Sequence, residues 1–247
     1  MDSCNLQIEY PDKSCILDQD EEFFHLITDD GQERIRIHEY DRVYDIPGLY
    51  EEVVYNRLRC DSPQVITNLL KEAMQTHGND DGPLRVLDFG AGNGIVGECL
   101  QEEIETEAII GIDIIEEAKK AVERDRPEIY DDYYVMDLSR PNSDDKNQLN
   151  EWDFNALVTV AALGFGDIPT KAFINAFNIV DDNSWVVFNI KDRFFSENDD
   201  TGYNQMLQEM IGNNLKVYKK HHYCHRLSMT GDPLYYYAVV GRKEDNF

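Results

Sequence analysis

The chain has 247 residues, 42% of them hydrophobic and 11% aromatic, so it can bury a core without disulfides or a metal and is neither disordered nor of low complexity. Its 49 acids against 23 bases give a net charge of −26, a field that repels phosphate backbones and makes nucleic acid a poor partner. No apolar run approaches the ~18 residues of a membrane span. The opening MDSCNLQIEYPDKSC has neither the basic region nor the apolar core of a secretory signal. Five scattered cysteines (Cys4, Cys15, Cys60, Cys99, Cys224) never form a CxxC pair, which predicts free thiols in a reducing, cytoplasmic setting and no zinc site.

In chain order, residues 1–33 are acidic and weakly patterned, and read as a short strand or arm followed by loop. A helix is predicted from Gly48 to Leu58, after the Pro47–Gly48 break. A second helix has Ser62 as its N-cap and Pro63 at its first position, with Val65, Ile66, Leu69, Leu70, Ala73 and Met74 on one face. After the turn-rich GNDDGP the period changes: short apolar runs at 84–89, 108–113, 133–138, 155–161 and 184–190 alternate with helical stretches at 95–104, 116–125, 170–180 and 203–211. Such alternation builds a mostly parallel sheet with helices on both faces, a Rossmann-like three-layer sandwich. Residues 215–229 and 234–242, joined by a turn at Thr230-Gly231-Asp232-Pro233, predict an antiparallel C-terminal hairpin on the sheet edge.

The first strand of this alternation runs straight into VLDFGAGNG, with Asp88, Gly90, Ala91, Gly92, Asn93 and Gly94, and a helix follows at once. Glycines there permit a sharp strand-to-helix turn and let a ligand approach the backbone, whose amides suit a negative group. A dinucleotide fingerprint starting at Gly90 needs a glycine at 95, where Ile95 stands; the spacing therefore opposes NAD. Asp113, followed by Ile114, ends the next strand about 20 residues on, where a carboxylate can take both hydroxyls of a ribose. Asp137 ends the third, in YYVMDLS, and can accept from the exocyclic amino group of adenine.

An acid, GxGxG after the first strand, an acid ending the second and an Asp ending the third together resemble a Rossmann-like (class I) S-adenosylmethionine (SAM)-dependent methyltransferase, over about residues 36–243. The stretches YDIPGLYEEVVYNRLRCDSP, FGAGNGIVGE, RDRPEIYDDYYVMDL and AALGFGDIP resemble a group of small methyltransferase-like proteins within that family. The resemblance implies SAM as methyl donor and S-adenosylhomocysteine as product. It further implies Asp88 and the Gly90–Gly94 loop around the methionine portion, Asp113 on the ribose, Asp137 with Leu138 framing the adenine, and Ala161 with Ala162 beneath the methyl group. Tyr40 and Tyr44 in HEYDRVYD are placed to cover the cofactor. On this reading residues 1–82 are an N-terminal arm and helical lid and 83–247 the SAM-binding domain. AALGFGDIP lacks the Asn-Pro-Pro-Tyr or Asp-Pro-Pro-Tyr signature of amino-methylating nucleic-acid enzymes, which again favours a small-molecule acceptor.

Methyl transfer can run on alignment alone, so no catalytic residue is required; the weak candidates are Asp167, Lys191 and Arg226. Asp167 is the nearest acid to the expected methyl position and is otherwise expected to cap the helix opened by Pro169. Lys191 and Arg193 follow the fifth strand of the alternation. Residues 216–226 form a basic run whose alternation puts Lys219, His221, Tyr223 and His225 on one face and Lys220, His222, Cys224 and Arg226 on the other, an anion-reading surface or a solvated, lysine-protected edge strand. A SAM- or nucleotide-binding protein without catalysis, a protein methyltransferase and an NAD-dependent reductase are the alternatives.

Overall fold

The computed structural model describes residues 6–29, 31–78, 82–164, 167–195, 199 and 201–247. The N-terminal segment, expected to be mostly loop, instead contains strands β1 (Gln7–Glu9), β2 (Phe23–Thr28) and β3 (Gly31–Arg36), paired antiparallel in the order β1-β2-β3. Their buried residues, Phe24, Leu26 and Ile35, pack with Val43, Leu49, Val53 and Leu58 from the segment that follows. That segment holds helix α1 (Tyr40–Asp45) and a π-helical stretch at Glu51–Arg57, where a single helix was predicted. Helix α2 (Ser62–His77) carries Ile66, Leu70 and Ala73 on its buried face. Ser62 does not cap it: Asp61 holds the N-cap position without a side-chain bond, because the Ser62 hydroxyl is buried against Tyr223 and His225.

The rest alternates as predicted, with one helix, α5, that was not predicted: β4 (Leu84–Phe89), α3 (Ile95–Glu103), β5 (Thr106–Asp113), α4 (Glu116–Asp125), β6 (Asp132–Val135), α5 (Ser143–Asn150), β7 (Ala156–Leu163), α6 (Thr170–Ile179), β8 (Trp185–Lys191), α7 (Tyr203–Met210), β9 (Leu215–Leu227) and β10 (Pro233–Lys243). The seven-stranded sheet has the order β6-β5-β4-β7-β8-β10-β9. Strands β4 to β8 pair in parallel, and β10 runs antiparallel between β8 and β9. The order reverses direction at β4, so the ends of β4 and β7 diverge into a crevice where an open α/β sheet receives ligands.

Both faces of the sheet are covered, as near-continuous apolar strands require. Leu84 and Val86 of β4, Val158 of β7 and Val187 of β8 pack with Ile66 and Leu70 of α2 on one face. Leu87, Leu157, Val186 and Phe188 pack with Phe173 and Phe177 of α6 and Met206 and Leu207 of α7 on the other. Each large side chain buried this way contributes about 1.5–3 kcal/mol.

Candidate functional site

The turn from β4 into α3 is made by Gly90 (φ +77°), Gly92 (φ +54°) and Gly94 (φ +88°), a left-handed backbone that side chains resist. The Gly90 and Ala91 amides donate to the Ile112 carbonyl at 2.8 and 3.0 Å, fixing the loop to the end of β5. A Cβ at Gly90 would stand 2.7 Å from Ala162 Cβ, and one at Gly92 2.5 Å from the Tyr44 hydroxyl oxygen. The loop is thus a cradle that any side chain would fill, beneath a cavity of about 290 Å³ at the carboxyl ends of the parallel strands.

The three predicted acids sit at different depths. Asp113 lines the cavity; its Oδ2 accepts from Gly92 N at 2.9 Å and its Oδ1 from Ile114 N at 2.7 Å. Burial raises its carboxyl pKa, against the opposing pull of these amides. Asp137 also lines the cavity, but β6 stops at Val135, so the residue lies in the following loop and not on the strand end. It is exposed, and its bonds with Ser139 lower its pKa. Between them, Ile114, Met136, Leu138, Ile168 and Ala172 make an apolar slot.

Asp88 lies deeper, fully buried on the α2–α3 side of β4 and outside the cavity wall. Its Oδ2 accepts from the Tyr130 hydroxyl at 2.7 Å, and its Oδ1 has no hydrogen-bond partner. Burial, helped by nearby Asp113, pushes its pKa up to about 7. Between pH about 4 and about 7 the unfolded chain has lost a proton that the folded chain keeps, so this group's contribution is complete below that window and declines as pH rises through it. Asp88→Asn should remove up to about 4 kcal/mol of this pH dependence, read as the difference between wild-type and variant urea midpoints from pH 4 to pH 8. Equal slopes would show that Asp88 ionises like an exposed carboxylate.

The N-terminal segment roofs the cavity. Arg124 of α4 holds α1 through the Tyr44 and Asp45 carbonyls, and Arg126 bridges Glu51, Glu98 and the Asn93 carbonyl. Tyr40 and Tyr44 stack at 5.8 Å and Tyr44 meets the edge of Tyr50 at 5.0 Å; all three line the cavity, with Tyr55 and His38. The π-helical hydrogen bond from Leu58 N to Val53 O belongs to a wider turn that brings residues five apart toward one side, and Tyr50 and Tyr55 accordingly contact each other on the cavity wall.

Ala161 forms the floor. Register with β8 jumps between Thr159 and Leu163, and in this bulge Ala161 has φ +56°, a strained conformation of the kind that gathers at functional sites. It is held by a chain of buried bonds: Ala161 N donates to Asn189 Oδ1, Asn189 Nδ2 to the Tyr223 hydroxyl, and that hydroxyl meets Ser62 Oγ, which reaches His225 Nδ1 at 2.6 Å.

The three weak candidates separate. Asp167 does not cap α6, whose N-cap is Pro169 with no side-chain bond; its carboxylate instead faces His38 Nδ1 at 3.2 Å, and both residues line the cavity. Lys191 is outside the cavity wall. Arg226 is no exposed edge-strand residue: it is 4% exposed and pairs with Glu22 at 2.6 Å. The simple alternation fails because a register shift between Leu234 and Tyr235 lets both His225 and Arg226 turn inward. Among the described residues no group of three His, Cys, Asp or Glu side chains is placed to hold a metal, and no helix is long and apolar enough to cross a membrane. Four of the five cysteines, Cys15, Cys60, Cys99 and Cys224, are free thiols, and Cys4 lies outside the described residues.

His38, Tyr50 and Ile168 were not identified from sequence. His38 opens the HEYDRVYD motif, whose tyrosines were the available pointer to it, while the five-residue step from Tyr50 to Tyr55 gives no periodic signal for a π-helix.

No protein-family model matches the sequence, and no curated protein does. Solved structures do. The N-methyltransferase NodS from Bradyrhizobium japonicum, in complex with S-adenosylhomocysteine, superimposes with a TM-score of 0.56 at 12% identity, covering 85% of this chain and 98% of that one. Magnesium protoporphyrin IX methyltransferase ChlM from Synechocystis, with bound SAM, gives 0.51 at 13% identity over 85% and 97%. The strand order, the antiparallel β10 and these likenesses together establish that the chain has the class I SAM-dependent methyltransferase fold.

Proposed function

We propose that the large cavity binds SAM and that the protein transfers its methyl group to a small-molecule acceptor. The observation that carries this reading is the convergence on one cavity of the glycine cradle, Asp113, Asp137 and the apolar slot between the two acids. The loop from Gly90 to Gly94 and the start of α3 would hold the methionine carboxylate, Asp113 the ribose hydroxyls, and Asp137, Ile114 and Leu138 the adenine. Asp88, expected at the methionine portion, lies outside the cavity wall and bonds Tyr130 instead. Bound SAM supplies an electrophilic methyl carbon. Tyr40 and Tyr44, carried by the lid within residues 1–82, exclude water and fix the acceptor's approach, which is where much of the acceleration of such a displacement originates. The strongly acidic surface favours an uncharged or cationic acceptor over a nucleic acid.

Calorimetry should detect binding of SAM and S-adenosylhomocysteine and none of NAD at the same concentrations. Tight NAD binding without SAM binding would overturn the assignment. Incubation with methyl-labelled SAM and a metabolite extract should label a small molecule; SAM binding without labelled product would favour a non-catalytic binding protein.

A further inference from the structure

A second cavity, of about 30 Å³, adjoins the first and shares His38, Tyr40, Tyr50, Ala161 and Asp167 with it. Gln19, His225, Arg226 and Tyr236 add polar groups to its wall, and Ile37, Val54 and Leu163 make the apolar remainder. That volume takes roughly two water-sized groups, enough for the reacting end of a molecule and too little for a nucleobase.

One buried acceptor of this side pocket lacks a partner, and a carboxylate stands in the same wall. Arg226 is committed to Glu22 and to the Leu227 carbonyl. His225 is buried and kept neutral, since burial and the nearby Arg226 and Lys191 lower its pKa well below the usual imidazole range, and its Nδ1 is engaged by Ser62. Gln19, 8% exposed, donates from Nε2 to the Tyr236 hydroxyl at 2.8 Å, and its Oε1 is buried with no partner. Asp167 adds a carboxylate to the same wall. Two separated acceptors need two donors. A hydroxyl offers one, whereas an amine offers two or three. Tyr40, Tyr50 and Tyr236 bring aromatic rings to the same wall, groups of the kind that attract a cationic nitrogen.

We infer that the side pocket holds the amino group of a compact amine, which is the methyl acceptor, with its N–H bonds given to Gln19 Oε1 and Asp167; the acceptor role rests on the reading of the large cavity as the SAM site. A protonated amine must shed a proton before its nitrogen can react, and the His38–Asp167 pair in the same wall takes it.

The test is titration of n-propylamine, n-propanol and propionate at matched ionic strength, followed by protein NMR, with and without saturating S-adenosylhomocysteine. n-Propylamine should bind at least about tenfold more tightly than n-propanol, the loss expected when a hydrogen bond to a buried or charged acceptor is missing. Gln19→Leu should erase that preference. Asp167→Asn, at a partly exposed position, should reduce it as well without disturbing the Gln19–Tyr236 contact, so the test stands even where the Gln19 variant fails to fold. Equal binding of n-propanol, or tighter binding of propionate, overturns the amine assignment. Amine preference in a protein that does not bind S-adenosylhomocysteine overturns the donor site and with it the acceptor role. Binding of S-adenosylhomocysteine with no amine preference overturns the side-pocket inference alone.

Discussion

Arg226→Met should cost about 3–5 kcal/mol of stability, because removing one partner of a buried ion pair leaves the other charge uncompensated. Glu22 is 2% exposed and Arg226 4%. The Glu22 carboxylate takes Arg226 Nη2 at 2.6 Å on one oxygen and the Met229 amide at 2.6 Å on the other, so the variant leaves one buried oxygen without its charged donor. The pair joins the residue that leads into β2 to the far end of β9, and its loss should free the three-stranded sheet from the main one. Glu22→Gln combined with Arg226→Met removes the orphaned charge while keeping an acceptor for Met229, and should recover most of the stability. Urea unfolding followed by fluorescence of Trp152 and Trp185 would measure both. A single variant within about 1 kcal/mol of wild type would match an exposed pair, and would show that water reaches this one.

Asp113→Ala should weaken S-adenosylhomocysteine by about tenfold to a hundredfold, the value of a hydrogen bond to a charged acceptor. Part of that loss is indirect, since Asp113 also accepts from Gly92 and Ile114 and its removal loosens the cradle. A 2′-deoxy ligand separates the two effects. It should bind the wild type more weakly than the ribose form, yet lose little further affinity in Asp113→Ala, because the partner of its missing hydroxyl is already gone. Asp113→Asn should fall between. Asp137→Asn retains a carbonyl to accept from the adenine amino group and should cost less than Asp113→Ala. If Asp113→Ala still distinguishes ribose from deoxyribose fully, the ribose is held elsewhere.

The parallel strands were legible because each is an apolar run with a glycine or an acid at or just past its end, whereas helix α5, with Leu149 as its one buried residue, carries no apolar stripe and was not predicted. The glycine loop and Asp113 stand at two such strand ends, so their placement over a cavity followed from local pattern. Strand β3 was not legible: GQERIR has a single buried residue, Ile35, whose apolar partners Val43, Val53 and Leu58 come from the segment that follows, so no alternation marks it. The fate of His225 and Arg226 was hidden for a different reason. Strict alternation assigns them to opposite faces, and only the register shift opposite Leu234 and Tyr235 turns both inward. Asp167 had the sequence context of a cap, and tertiary contact with His38, 129 residues away, overrode it.

The two cavities differ in how far apart along the chain their walls originate. Residues 38 to 172 supply every residue around the larger one, a span that includes the glycine loop and Tyr40, Tyr44, Tyr50 and Tyr55. The smaller one closes only when Gln19 meets Tyr236, 217 positions away, and Glu22 meets Arg226, 204 away. Contacts so distant in sequence form slowly, since the entropy of closing the intervening chain must be met first. During synthesis the ring of contacts around the side pocket is completed only after residue 236 has emerged, when every residue lining the larger cavity is already outside.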